Sequence, residues 1–150
     1  MDFLKAKSAL QDLVVRLHDA EKGYEKIYSA TANPILKKWM EKYGAERKEF
    51  RKQLTFEASK IGKDPEVHTS FLGDLHRMFI DIKLNVLDNS LPQIVDEIER
   101  GSTVLIEDYD KTLELNLNSG LRVLLQAQKQ KISEQLTSLT NLRDELLATS

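Results

Sequence analysis

There is no cysteine among the 150 residues. That excludes disulfides, zinc knuckles, thiol catalysis and cysteine-ligated iron–sulfur clusters. Breakers are scarce, with 6 glycines and 3 prolines, so most of the chain is free to run in long regular elements. No charge sign dominates. The 22 basic and 24 acidic residues leave a net charge of -2, whereas a dedicated nucleic-acid binder normally carries a strong basic excess. Basic pairs such as Lys37-Lys38 and Arg51-Lys52 are interleaved with acids and read as solvated helix faces, so no nucleic-acid partner is expected. No apolar run is long enough to span a membrane, and no membrane partner is expected. The opening stretch "MDFLKAKSALQDLVVRLHDAEKGYEK" mixes charge into its apolar positions and reads as a first helix rather than a leader. A cytoplasmic setting is the default. What is present, 41% hydrophobic and 31% charged residues, suits one domain over residues 1–150 with a real core and a wet surface.

Apolar residues recur with helical spacing almost everywhere. The first stripe is Phe3, Ala6, Leu10, Leu13, Leu17, Ala20, Tyr24, Ile27 and Tyr28. Asn33-Pro34 then reads as an N-cap with proline at the first helical position. A second stripe follows, Leu36, Trp39, Met40, Tyr43, Phe50, Leu54, Ala58 and Ile61, with Gly62 as its stop. Thr69 or Ser70 caps a shorter helix through Val86, and Ser90 and Gln93 have capping-box spacing before a helix from about Leu91 to Leu117. "NLNSG" breaks that helix, and a last one spans about Ser119 to Leu147. There is no β-alternation. The expected architecture is all-α: two long helical hairpins packed as a ferritin-like four-helix bundle, joined by a shorter crossover helix.

Whether the chain holds a metal turns on where its acids point. In "EIERGSTVLIEDYDK", residues 97–111, a rotation of 100° per residue aims Ile94, Ile98, Leu105 and Tyr109 one way. Glu97, Glu99, Glu107, Asp108 and Asp110 fall well off that direction and read as surface acids, while Gly101 and Ser102 occupy the centre of the buried stripe. Elsewhere polar groups turn inward. Glu21 lies between Leu17 and Tyr24, Glu46 and Arg47 flank the line from Tyr43 to Phe50, and Gln128 and Gln135 sit in the last stripe with Leu124, Ile132, Leu139, Leu142 and Leu146. All four tyrosines read as inward-facing. With two helices climbing and two descending, Glu21, Tyr24, Glu46, Arg47, Ser102 and Gln135 come out at one height and form a buried polar layer.

A di-iron carboxylate centre needs four acids and two histidines, with Glu-x-x-His on two helices. This chain offers Glu21 and Glu46-x-x-Glu49, and none of its histidines, His18, His68 and His76, shares a layer with Glu46. Any iron or manganese would have to use Glu21, Glu46 and Glu49. The plainer expectation is no cofactor, with Arg47 holding Glu21 or Glu46 bidentately in place of a metal. No catalytic group is assigned. Neither a Ser-His-Asp arrangement nor a glycine-rich nucleotide loop after a strand is present.

The segments "HDAEKGYEKIY" (18–28), "ERKEFRKQL" (46–54), "SFLGDLHRMFIDIK" (70–83), "EIERGSTVLIEDYDKTL" (97–113) and "LTNLRDEL" (139–146), in this order and spacing, resemble a bacterial family of four-helix-bundle proteins of unknown function in the ferritin-like superfamily. The resemblance implies a ferritin-like bundle and no established activity. The family more often has Glu where this chain has Ser102, and a His aligning at about Leu136, so ligand duty at those two positions is not expected here. A non-enzymatic bundle is the expectation, with a stress role by superfamily analogy alone. The rivals are an iron- or manganese-dependent oxidase or binding protein with a degenerate site, and a self-assembling scaffold in which Phe71, Met78 and Phe79 form an interface, for which a homo-oligomer is the expected state.

Overall fold

The computed structural model describes residues 2–61 and 91–149. They form four helices and no strand: α1 (Phe3–Ala30), α2 (Pro34–Ser59), α3 (Leu91–Leu113) and α4 (Ser119–Thr149). Three of the starts are fixed by side chains that take up backbone N–H groups the helix leaves unpaired. The Asp2 carboxylate accepts from Lys5 N at 3.2 Å. Asn33 Oδ1 accepts from Ile35 N and Leu36 N at 3.0 and 3.1 Å, with Pro34 in the first turn. Asn118 Oδ1 accepts from Leu121 N at 2.8 Å. Such caps are each worth about 1 kcal/mol. At the other end of α3, the Arg122 guanidinium donates to the Leu113 and Leu115 carbonyls at 2.8 Å each. That closes the turn into α4, satisfies carbonyls the helix cannot, and stops α3 four residues before the sequence expectation of Leu117, which is instead buried in the turn.

Helix α1 packs along α2 and α3 along α4, while α1 also faces α3 and α2 faces α4. Two core clusters give the helix directions. One joins Leu10, Leu13 and Leu17 to Phe50 and Leu54, Leu105 and Tyr109, and Leu121 and Leu125. The other joins Tyr24 and Ile27 to Leu36 and Met40, Ile94 and Ile98, and Leu139 and Leu142. The first cluster therefore collects the starts of α1 and α4 and the ends of α2 and α3. Helices α1 and α4 run one way and α2 and α3 the other, so Ile61 and Leu91 lie at opposite ends of the bundle. The shorter helix expected over residues 69–86, Gly62 and Ser90 as punctuation, and Phe71, Met78 and Phe79 all lie outside the described residues.

The helical spacing places most stripe residues inside, with exceptions that have simple causes. Phe3, in the first turn, is 62% exposed, because the bundle begins to close around α1 only at Ala6. Tyr28 is 40% exposed rather than inward-facing. It lies near the end of α1, where Lys37 stacks over its ring at 4.2 Å and donates to its carbonyl. Leu125, not Leu124, is the fully buried leucine of its pair. Gly101 is exposed and only Ser102 is buried, so the inward line of α3 runs Ile98, Ser102, Leu105, Tyr109. Trp39 packs between Tyr24 and Tyr43, with ring centroids 6.1 and 4.3 Å away.

Candidate functional site

The two core clusters are separated at half height by polar side chains. Each helix contributes one buried group between its two apolar sets: Glu21 on α1, Arg47 on α2, Ser102 on α3 and Gln135 on α4. Ser102 Oγ donates to Gln135 Oε1 at 3.4 Å, and Gln135 Nε2 donates to the Tyr24 hydroxyl oxygen at 2.9 Å. The Arg47 guanidinium stands 5.9 Å from the centre of the Tyr24 ring. Tyr24, Arg47, Ser102 and Gln135 are thus one group at the bundle centre. Nearer the far end, Tyr109 donates to Gln128 at 2.5 Å, and Gln128 donates to Gln53 at 2.8 Å. Burial raises the Tyr109 phenol well above its ordinary range.

Arg47 holds Glu46, one of the two partners the sequence offers it, though through a single nitrogen, and Glu21 is held by a different arginine. Arg47 does not reach Glu21. It donates through Nη1 to its neighbour Glu46 at 2.8 Å, and Glu46 is half-buried at the edge of the layer. Glu21 is gripped by Arg51, through Nε to one carboxylate oxygen at 2.8 Å and Nη2 to the other at 3.4 Å. On sequence alone Arg51 reads, with Lys52, as solvated. It lies one helical turn beyond Arg47, only about 40° round the helix, and that spacing was the available signal. Its side chain is 24% exposed and that of Glu21 is 7% exposed, so the pair sits in the α1–α2 seam rather than at the centre. Close by, His18 is half-buried with its Nδ1 lacking a partner, and burial lowers its pKa.

Glu49, the third metal candidate, is exposed. The acids of 97–111 are distributed over the surface, with one correction. Asp108 is half-buried and pairs with Arg16 at 3.0 Å, so it belongs to the α1–α3 contact. Among the described residues no three His, Asp or Glu side chains stand close enough to hold a metal ion. With Glu21 and Glu46 each claimed by an arginine and Glu49 facing water, the described residues do not assemble a di-metal centre of the kind a ferritin-like fold would hold.

A cavity of about 170 Å³ opens between α1 and α3 onto this layer. Arg47, Tyr24 and Ser102 form its inner wall, Ile27, Ile98 and Leu105 its apolar sides, and Gly101 is an exposed part of its lining. Arg16, Asp19, Glu97 and Arg100 also line it, so three arginines face two acids. Arg47 is fully buried, yet its Nε and Nη2 have no hydrogen-bond partner. Asp19 Oδ1 is likewise buried without a partner, and burial, opposed by Arg16, pushes its carboxyl up to about 6.

The Asp19 shift sets a pH dependence. A folded-state pKa above the ordinary 3.8 means the folded protein holds this proton more tightly than the unfolded chain. The penalty for ionising Asp19 is therefore complete above about pH 6 and fades as pH falls toward 4. Asp19→Asn is expected to raise stability at pH 7.5 by about 1 kcal/mol, a figure discounted for partial exposure, and to leave it unchanged at pH 4. Urea titrations of both proteins across that range check this, and a gain that does not depend on pH would refute it.

The described residues thus define an all-α four-helix bundle in which Glu21 and Glu46 are paired with arginines. The chain belongs to the family described as Domain of unknown function (DUF2383), whose model matches residues 5–115. The match covers α1 to α3 and ends in the turn before α4, so Leu136 and the segment 139–146 lie outside it. No curated protein matches the chain. Among the described residues no helix is long and apolar enough to cross a membrane.

Proposed function

We propose that this protein is a ferritin-like helical bundle that works without catalysing a reaction, its mid-height charges serving to fix the helices in register. The topology supports the ferritin-like reading. Two antiparallel hairpins are joined between opposite ends of the bundle, the connection that distinguishes such folds from simple up-and-down bundles. The observation that carries the non-catalytic reading is the pairing of Glu21 with Arg51 and of Glu46 with Arg47. These carboxylates already have their countercharges, and a divalent ion would have to displace both guanidinium groups. The hydrogen-bonded chain Ser102–Gln135–Tyr24 links α3, α4 and α1, and a slip of one helix would leave buried polar groups unpaired.

Elemental analysis of protein produced with added iron and manganese tests this reading. Trace metal, the same in wild type and in Glu21→Gln, is the expected result. Near-stoichiometric metal that Glu21→Gln removes would establish the binding protein or oxidase instead.

A further inference from the structure

The buried guanidinium of Arg47 holds one partner and lacks another. Nη1 is committed to Glu46, while Nε and Nη2 have no partner among the protein atoms. Those two nitrogens lie along one edge of the guanidinium plane and present parallel N–H groups. The same edge of Arg51 grips both oxygens of the Glu21 carboxylate in this protein, so the chain itself shows what that fork takes. Buried charged donors without acceptors are costly and uncommon, and each calls for an explanation.

The surroundings agree with an acceptor. The Tyr24 hydroxyl already receives a hydrogen bond from Gln135, which leaves its own proton to give. The three arginines of the lining are each paired with an acid, Arg16 with Asp108, Arg100 with Glu97 and Arg47 through Nη1 with Glu46, so the unpartnered edge of Arg47 is the feature that calls for an acceptor. Asp19, an acid of the lining whose Oδ1 has no partner, lies five residues or about 7.5 Å before Tyr24 along the helix. Arg16 is the charge that opposes its shift, and its distance along α1 keeps it from competing for the inner wall. Apolar walls of Ile27, Ile98 and Leu105 complete the space. An apolar cavity of about 150 Å³ admits a benzene-sized body, so the volume here suits an acid of about three to six carbons.

We propose that the cavity between α1 and α3 binds a small monocarboxylate when the Arg47 guanidinium turns its covered edge toward the cavity, the two oxygens on Nε and Nη2 of Arg47, one of them also accepting from Tyr24, and the short apolar body against Ile98 and Leu105. A carboxylate matches the fork in geometry and supplies charge, which water does not. A tetrahedral oxyanion supplies charge without the planar match or the apolar tail.

The test follows the arginine Nε–H resonances of the full ¹⁵N-labelled chain during titration with sodium propionate, with sodium sulfate and sodium chloride at matched ionic strength as comparisons. One Nε–H signal, identified by its loss in Arg47→Met, is expected to shift saturably with propionate, with a Kd of about 1 mM or lower. Gly101→Leu keeps Arg47 but places a side chain on the cavity wall, where an added Cβ meets nothing within 4 Å. It should weaken binding at least about tenfold. An Arg47 signal that does not respond, an equal response to sulfate, or binding unchanged by Gly101→Leu would each overturn the proposal. None of these results bears on the elemental analysis that tests the non-catalytic reading.

Discussion

Arg51→Met is expected to destabilise the protein by about 2–3 kcal/mol. The change removes both hydrogen bonds to Glu21 and leaves a carboxylate in the α1–α2 seam with no countercharge in contact. Stranding one partner of a buried pair typically costs about 3–5 kcal/mol. The lower figure applies because Arg51 is a quarter exposed and water can reach part of the gap. The double variant Glu21→Leu/Arg51→Met removes the stranded charge and fills the seam with apolar atoms, so it should recover most of the loss. Urea denaturation of wild type, both single variants and the double variant checks this as a cycle. If Arg51→Met costs less than about 0.5 kcal/mol, the pair contributes no more than an ordinary surface ion pair, and the account of Glu21 given above is wrong.

Arg47 is expected to divide by shape rather than by charge. Arg47→Ala deletes most of a fully buried side chain and should cost about 3 kcal/mol, the range for large truncations in a packed core. Arg47→Met keeps most of the volume. It loses the bond to Glu46 and the contact with Tyr24, but it also removes a desolvated charge with two unpartnered nitrogens. Glu46 is half-buried and can turn to water. The two sides nearly offset, so Arg47→Met should lie within about 1 kcal/mol of wild type. Thermal and urea unfolding of the two variants decide it. Equal losses would show that the guanidinium itself holds the layer together. A stable Arg47→Met would mean that the arginine adds no net stability, which fits a residue that sets register or serves a ligand.

The helices were legible because their signals are local. Asn33-Pro34 specifies a start through two short hydrogen bonds from one side chain, and the 3.6-residue period puts Leu10, Leu17, Leu54 and Tyr109 on inward faces. The period also turns Glu21, Arg47, Ser102 and Gln135 inward, since it counts angles whatever the residue type. It fails at the margins. Phe3 has the right angle but lies before the bundle closes, and Gly101 and Leu124 each sit one step from the residue that is buried. The partners were not legible in the same way. Arg47 and Arg51 are a turn apart on α2, and sequence gives no reason for Glu21 to choose the farther one. The choice depends on how α1 and α2 rotate against each other, which moves each guanidinium by several ångströms.

Composition and periodicity alone settled that this chain is helical, has no cysteine chemistry, and carries polar groups on otherwise apolar stripes. Those properties depend on residue type and on separations of three or four positions. Packing decided that Glu21 belongs to Arg51, that Asp108 pairs with Arg16 between α1 and α3, and that Arg47 lines a cavity while one of its edges is unpaired. Each of these depends on distances between helices far apart in the chain, and a difference of one hydrogen-bond length decides between a paired charge and a free one.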